Sequence, residues 1–133
     1  MIHNLGVCTN GDVKLEQDGT PFLFWDNEWI PICGHYFWDN QDGAKLFCRK
    51  MGYRSGSLSV KGGAKYERDS FRVGKCIWGD KWGSCSGGCN DYEEGGRCSN
   101  KYQADCDRGE AVKVSIKCFG GKSLETTSCR GGN

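Results

Sequence analysis

Asn40-Gln41-Asp42-Gly43-Ala44-Lys45-Leu46-Phe47-Cys48-Arg49-Lys50-Met51-Gly52 is the stretch whose reading decides the fold. Ala44, Phe47, Cys48 and Met51 fall at i, i+3, i+4 and i+7, which is one buried helix face. Asn40 is an N-cap residue, and Asp42 puts a negative charge in the first turn, where the helix dipole favours it. Lys45, Arg49 and Lys50 occupy other faces, and Gly52 suits the left-handed position that ends a helix. The segment predicts a helix over 41–51 that carries a cysteine on its buried side, placed for a bridge to a sheet.

The flanking sequence predicts strands. Phe22-Leu23-Phe24-Trp25 and Glu28-Trp29-Ile30-Pro31-Ile32-Cys33 are rich in aromatic and β-branched residues, with Asp26-Asn27 as the turn between them. From Val112 to Cys118, apolar Val112, Val114, Ile116 and Cys118 alternate with Lys113, Ser115 and Lys117, as on a half-buried strand. Residues 54–75 are polar and glycine-rich and read as a long loop. Ile77-Trp78 reads as a short apolar anchor. Residues 79–109 lack periodicity and read as loop held by cross-links. The fold class expected is α+β: a small disulfide-rich domain, a curved antiparallel sheet cradling one helix, and long loops.

The chain has 133 residues, 21 glycines, 2 prolines and 10 cysteines. Its length predicts a single domain over 1–133. Ten cysteines read as five disulfides and therefore as a secreted or extracellular setting, because reducing compartments do not maintain such a framework. Residues 1–6 have no apolar signal core, so a leader is expected to have been removed. No run of sequence is apolar enough for a membrane span, and no Asn-x-Ser/Thr sequon occurs.

Net charge is +1, but its distribution is uneven. Residues 1–44 hold one base against seven acids, and residues 45–81 hold ten bases against three acids. If the central bases share a face, they form an anion-binding patch, with Arg54, Lys61, Lys65, Arg68 and Arg72 as contacts. The competing arrangement interleaves them with the acids of the first third. Interspersed Tyr53, Tyr66 and Phe71 would suit a nucleic acid, but an extracellular protein of near-zero net charge disfavours that partner. Trp38 and Trp82 stand among polar or glycine neighbours and are the best candidates for exposed contacts, with core packing the competing reading.

Catalytic patterns are absent. His3 and His35 are the two histidines, and no G-x-S-x-G, His-Glu-x-x-His or C-x-x-C pattern occurs. No catalytic residue is assigned and no enzyme is expected. Cys76, Cys85, Cys89 and Cys98 would have to be thiolates to hold zinc, and disulfides are the preferred reading.

Taken in order, these segments resemble a scavenger receptor cysteine-rich domain over roughly residues 12–119. The hairpin ending in Cys33 is similar to that family's opening strands. Ala44 through Tyr53 resembles its A-x-x-x-C-R-x-L-G-Y helix. Ile77-Trp78-Gly79-Asp80, Cys85-Ser86-Gly87 and Cys106 through Cys118 resemble its later segments. The resemblance implies bridges Cys33–Cys106 and Cys48–Cys118, and a local bridge from Cys85 to Cys98. Cys76–Cys89 and Cys8–Cys129 are then assigned to the remaining cysteines, the latter joining the two ends.

The family's function implies a non-enzymatic extracellular module that recognises polyanionic, glycan or protein ligands. A secreted structural, matrix or defence protein that uses the scaffold for durability is the alternative. Gly34 and His35 stand where the family carries cation-binding acids, as do Gly88 and Cys89. No cofactor is therefore expected, apart from calcium on a substitute oxygen set of Asp39, Asn40 and Asp42. A solvated helix-capping turn is the competing reading of those three.

Overall fold

In a computed structural model of the chain, the described residues are 6–79, 81–83, 85, 104–121 and 125–130. The protein is a small disulfide-rich α+β domain with two sheets and one α-helix among these residues. Strands β1 (Val13–Leu15), β2 (Pro21–Trp25), β3 (Glu28–Cys33) and β5 (Phe71–Arg72) form one sheet in the order β1-β2-β3-β5. Strands β4 (Tyr53–Lys65) and β6 (Val112–Gly121) form the second. The β3–β5 pair is parallel, so the first sheet is mixed and not purely antiparallel.

The hairpin closes through Asp26 and Asn27, both at positive φ (49° and 67°). Two consecutive left-handed residues match the right-handed twist of the strands they join, and Asp and Asn tolerate that conformation better than other residues with a side chain. Pairing Leu23 with Ile30 fixes the register. Leu23, Ile30 and Ile32 therefore face the core with Val13 from β1. The opposite face carries Lys14, Phe22 and Pro31 in one row, since Lys14 pairs with Phe22 and Phe22 with Pro31.

Helix α1 spans Asp42–Lys50, one residue shorter at each end than the 41–51 expectation. Gln41 is the N-cap and gives no side-chain bond to the helix; Asn40 instead accepts the Asp42 N–H at 2.8 Å. Gly52, at φ 97°, donates its N–H to Arg49 and closes the C-terminus. Ala44, Phe47 and Cys48 are fully buried against the sheet residues, Phe37, Phe71 and Val73. A nine-residue helix is marginal alone; burial of Phe47, worth about 1.5–3 kcal/mol, fixes it far more than propensity does.

The largest departure from the sequence reading lies in residues 54–75, where β4 occupies much of the expected loop. Ser, Gly and Lys weaken intrinsic strand preference, but eight register pairs with β6 override it, from Tyr53–Gly121 to Lys65–Val112. Gly56 explains one glycine. A Cβ there would drive into the Cys48 sulfur, so only glycine lets the helix and its bridge to Cys118 lie on β4.

Bridges join Cys8–Cys129, Cys33–Cys106, Cys48–Cys118 and Cys76–Cys85. Cys76–Cys85 replaces both the Cys76–Cys89 and the Cys85–Cys98 assignments. The intervening segment turns at Gly79 and Gly83, both at positive φ, and brings the two Cα atoms to 4.5 Å. It also removes the zinc reading, because Cys76 and Cys85 are not thiolates. Cys89 and Cys98 lie outside the described residues.

Residues 125–130 are tied to β1. Leu15 N–H bonds to Thr126, and Ser128 N–H to Val13. Ser128 Oγ donates to Asp12 at 2.7 Å and accepts from the Val13 N–H at 2.8 Å. With Cys8–Cys129 this clasp closes the free edge of β1.

Candidate functional site

The helix brings Asp42, Lys45 and Arg49 onto one exposed stripe, three and four residues apart. Residues 76–78 run along that stripe and are held to it at two points. Asn40 Nδ2 donates to the Cys76 carbonyl at 3.0 Å, and the Trp78 N–H donates to Asp42 Oδ2 at 3.2 Å. The Cys76–Cys85 bridge closes the loop behind them. Lys45 Nζ lies 5.8 Å and Arg49 Cζ 5.3 Å from the centre of the Trp78 ring. Yet the ring is 49% exposed, and Ile77 beside it is 59% exposed. Trp78 is thus held open beside two cations, with exposed Ile77 next to it in sequence, and the pair is not an apolar anchor for the core.

Trp82 does the anchoring instead. Its Nε1 donates to the Gly11 carbonyl at 2.9 Å, and its ring meets Phe37 and Phe47 edge-on at 6.3 and 5.8 Å. A glycine-rich neighbourhood in sequence did not mean an open one in space. Trp38 is half-buried: its ring covers Gly34, whose Cβ would collide with it, and stands edge-on to His35 at 6.0 Å.

The five central cations do not make one patch. Arg54 and Lys61 are seven residues apart on β4, roughly 23 Å at about 3.3 Å per residue, and point to opposite faces. Lys61 reaches Asp18, donating to its carbonyl at 3.0 Å, with its carboxylate at 3.7 Å. Arg72 pairs with Asp105 at 3.7 Å and covers the Tyr36 ring at 5.1 Å. Lys65 ends β4, exposed. Arg68 borders a cleft on the outer face of the first sheet. More generally, the basic middle is folded onto the acidic first third: Lys45 with Asp42, Lys50 with Asp12, Lys61 with Asp18 and Lys75 with Asp39.

Those pairings also occupy the substitute calcium set. Asp39 faces Lys75 at 4.0 Å, Asn40 Oδ1 accepts the Asp42 N–H, and Asp42 holds Trp78 and Lys45. The three residues build the helix start and its loop, each engaged in contacts of its own. Among the described residues no three His, Cys, Asp or Glu side chains are grouped to hold a metal ion.

His35 Nε2 lies 2.7 Å from Asp105, which Arg72 also approaches. This is a network of polar contacts beside the Cys33–Cys106 bridge. Among the described residues no helix is long and apolar enough to cross a membrane.

Sequence reasoning passed over Trp78. One sequence signal bore on it, the i, i+3, i+7 spacing of Asp42, Lys45 and Arg49 on the polar face of the helix; its place inside a Cys76–Cys85 loop was not legible, because the sequence reading paired those cysteines elsewhere. No protein-family model, curated protein or solved structure matches the chain.

Proposed function

We propose that the protein is an extracellular, non-enzymatic binding module of scavenger receptor cysteine-rich type that grips anionic ligands through the Ile77–Trp78 tip. The observation that carries this reading is the half-exposed Trp78 ring held between Lys45 and Arg49. Tryptophan and arginine dominate binding hot spots, because a large rigid apolar surface and a fixed cation are desolvated together on contact. The disulfide framework supports an extracellular setting, since four bridges persist only in an oxidising compartment. The hairpin, the helix and the 33–106 and 48–118 bridges support the resemblance to that family.

The loop is restrained before binding by Asp42, Asn40 and the Cys76–Cys85 bridge, so little ordering entropy is lost on contact. Ligand anions meet Lys45 and Arg49, and the apolar pair excludes water around them. The source of the anion is a sulfated or carboxylated glycan, or an acidic protein segment. Titration with a sulfated oligosaccharide and with polyglutamate, over a salt series, separates the two. Binding of either that weakens with salt and with Lys45→Glu/Arg49→Glu, but not with Arg54→Glu/Lys65→Glu, supports the tip. Loss confined to the second pair, or no binding of either probe, overturns it.

A further inference from the structure

The outer face of the first sheet is unusual in being aromatic, although the other face already packs the core. Phe22 and Pro31 are paired neighbours across β2 and β3, and Trp29 follows next to Phe24, ring centres 5.0 Å apart. Phe22 and Trp29 are half-buried. Over this row lies a cavity of about 710 Å³ and, adjoining it, one of about 420 Å³. They share Glu16, Phe22 and Arg68, so they form one cleft. Ordinary small-molecule sites have about 300–1,000 Å³, an apolar floor and a few polar groups that orient the ligand. Tyr66 closes one wall, its hydroxyl buried and without a hydrogen-bond partner.

We propose that this cleft is a binding site for an uncharged oligosaccharide. The charge on its rim selects against ions of either sign. An anion would meet Glu16, Asp18 and Glu67, and a cation would meet Arg68, Lys113 and Lys14. A hydroxyl both donates and accepts, and so pairs with either kind of group. A pyranose ring is apolar on its faces and polar around its edge, which matches the half-buried Phe22 and Trp29 rings with carboxylates, amides and cations beside them. Lys14 Nζ lies over the two rings, 5.4 and 5.0 Å from the Phe22 and Trp29 centres, and is a donor that a sugar hydroxyl meets there. An extended peptide fits less well. It would add to the edge of β1, and that edge is already bonded to Thr126 and Ser128.

Ligand-observed NMR and calorimetry with uncharged linear tetrasaccharides of glucose, mannose, galactose and N-acetylglucosamine test this. At least one should bind saturably. Glu16→Ala/Arg68→Ala alters two exposed rim groups and should weaken it by about tenfold or more, whereas Trp78→Ala should leave it unchanged. Circular dichroism establishes that each variant is folded. No saturable binding across the set, equal binding by the rim variant, or preference for a charged tetrapeptide over every saccharide would overturn the assignment. None of these outcomes bears on the anionic tip, whose probes are charged and whose residues lie elsewhere.

Discussion

The Trp78 backbone N–H donates to the Asp42 carboxylate in the first turn of the helix, at 3.2 Å. One acidic side chain thereby serves the helix dipole and fixes the loop that presents Trp78 between Lys45 and Arg49. Asp42→Ala should therefore affect binding more than folding. The lost hydrogen bond is worth about 1 kcal/mol, while freeing the loop should lower affinity for a sulfated oligosaccharide severalfold. Titration beside thermal melting separates the two effects.

The Cys76–Cys85 bridge makes a sharper version of the same separation. It closes a loop of sequence separation 9, for which chain entropy gives about 2.7 kcal/mol. Cys76→Ser/Cys85→Ser should leave a folded protein, held by Cys33–Cys106 and Cys48–Cys118, that binds anionic probes weakly. Peptide mapping of the parent protein under non-reducing conditions should return Cys76 linked to Cys85. A Cys76–Cys89 or Cys85–Cys98 peptide would remove the physical basis for a fixed tip.

Gly56→Ala tests the packing of helix on β4. The new methyl group meets the Cys48 sulfur and sits close to the Ala44 carbonyl at 3.1 Å, backbone that does not yield easily. Overpacking of this kind costs about 1–3 kcal/mol, to be read as a lower melting temperature with the four bridges intact. An unchanged melt would mean that the helix is not seated on β4 as described.

Much of this frame was legible in the sequence because it rests on local rules. The helix announced itself by the spacing of Ala44, Phe47, Cys48 and Met51, and the hairpin by Asp26-Asn27 between apolar runs. Strand β4 was not legible, since Ser55, Gly56, Ser57 and Ser59 have little intrinsic strand preference and are extended by pairing with β6. The site suffered from the same limit. Trp78 and Trp82 are four residues apart in similar sequence, and only long-range contacts decide that Trp82 meets Phe37 and Phe47 while Trp78 stays open. Whether the basic middle of the chain forms a patch or interleaves with the acids was likewise open in the sequence, and the fold sets it against Asp12, Asp18, Asp39 and Asp42.

Tyr66 gives a pH dependence. Burial pushes its phenol well above its ordinary value of 10, opposed by the nearby Val114 backbone and reinforced by the charge on Asp18. The folded form keeps the proton where the unfolded form releases it. The protein should therefore lose stability as pH rises above about 10, by up to about 1.4 kcal/mol per pH unit for this one group. Tyr66→Phe removes that contribution and a buried hydroxyl without a partner. The difference in melting temperature between variant and parent should grow in the variant's favour from pH 9 to pH 11 (about one unit either side of the ordinary tyrosine value). A difference independent of pH would contradict a buried, protonated Tyr66.

The most direct test of the binding account is the dissociation constant of Trp78→Ala for an anionic probe that the parent protein binds, measured at low salt. The ring is half-exposed, so its removal should leave the fold intact. A hot-spot tryptophan is worth about 2 kcal/mol or more on truncation, so affinity should fall by about 30-fold. A folded Trp78→Ala protein that binds within about twofold of the parent, inside the roughly 0.5 kcal/mol scatter of ordinary surface substitutions, would contradict the assignment of the tip.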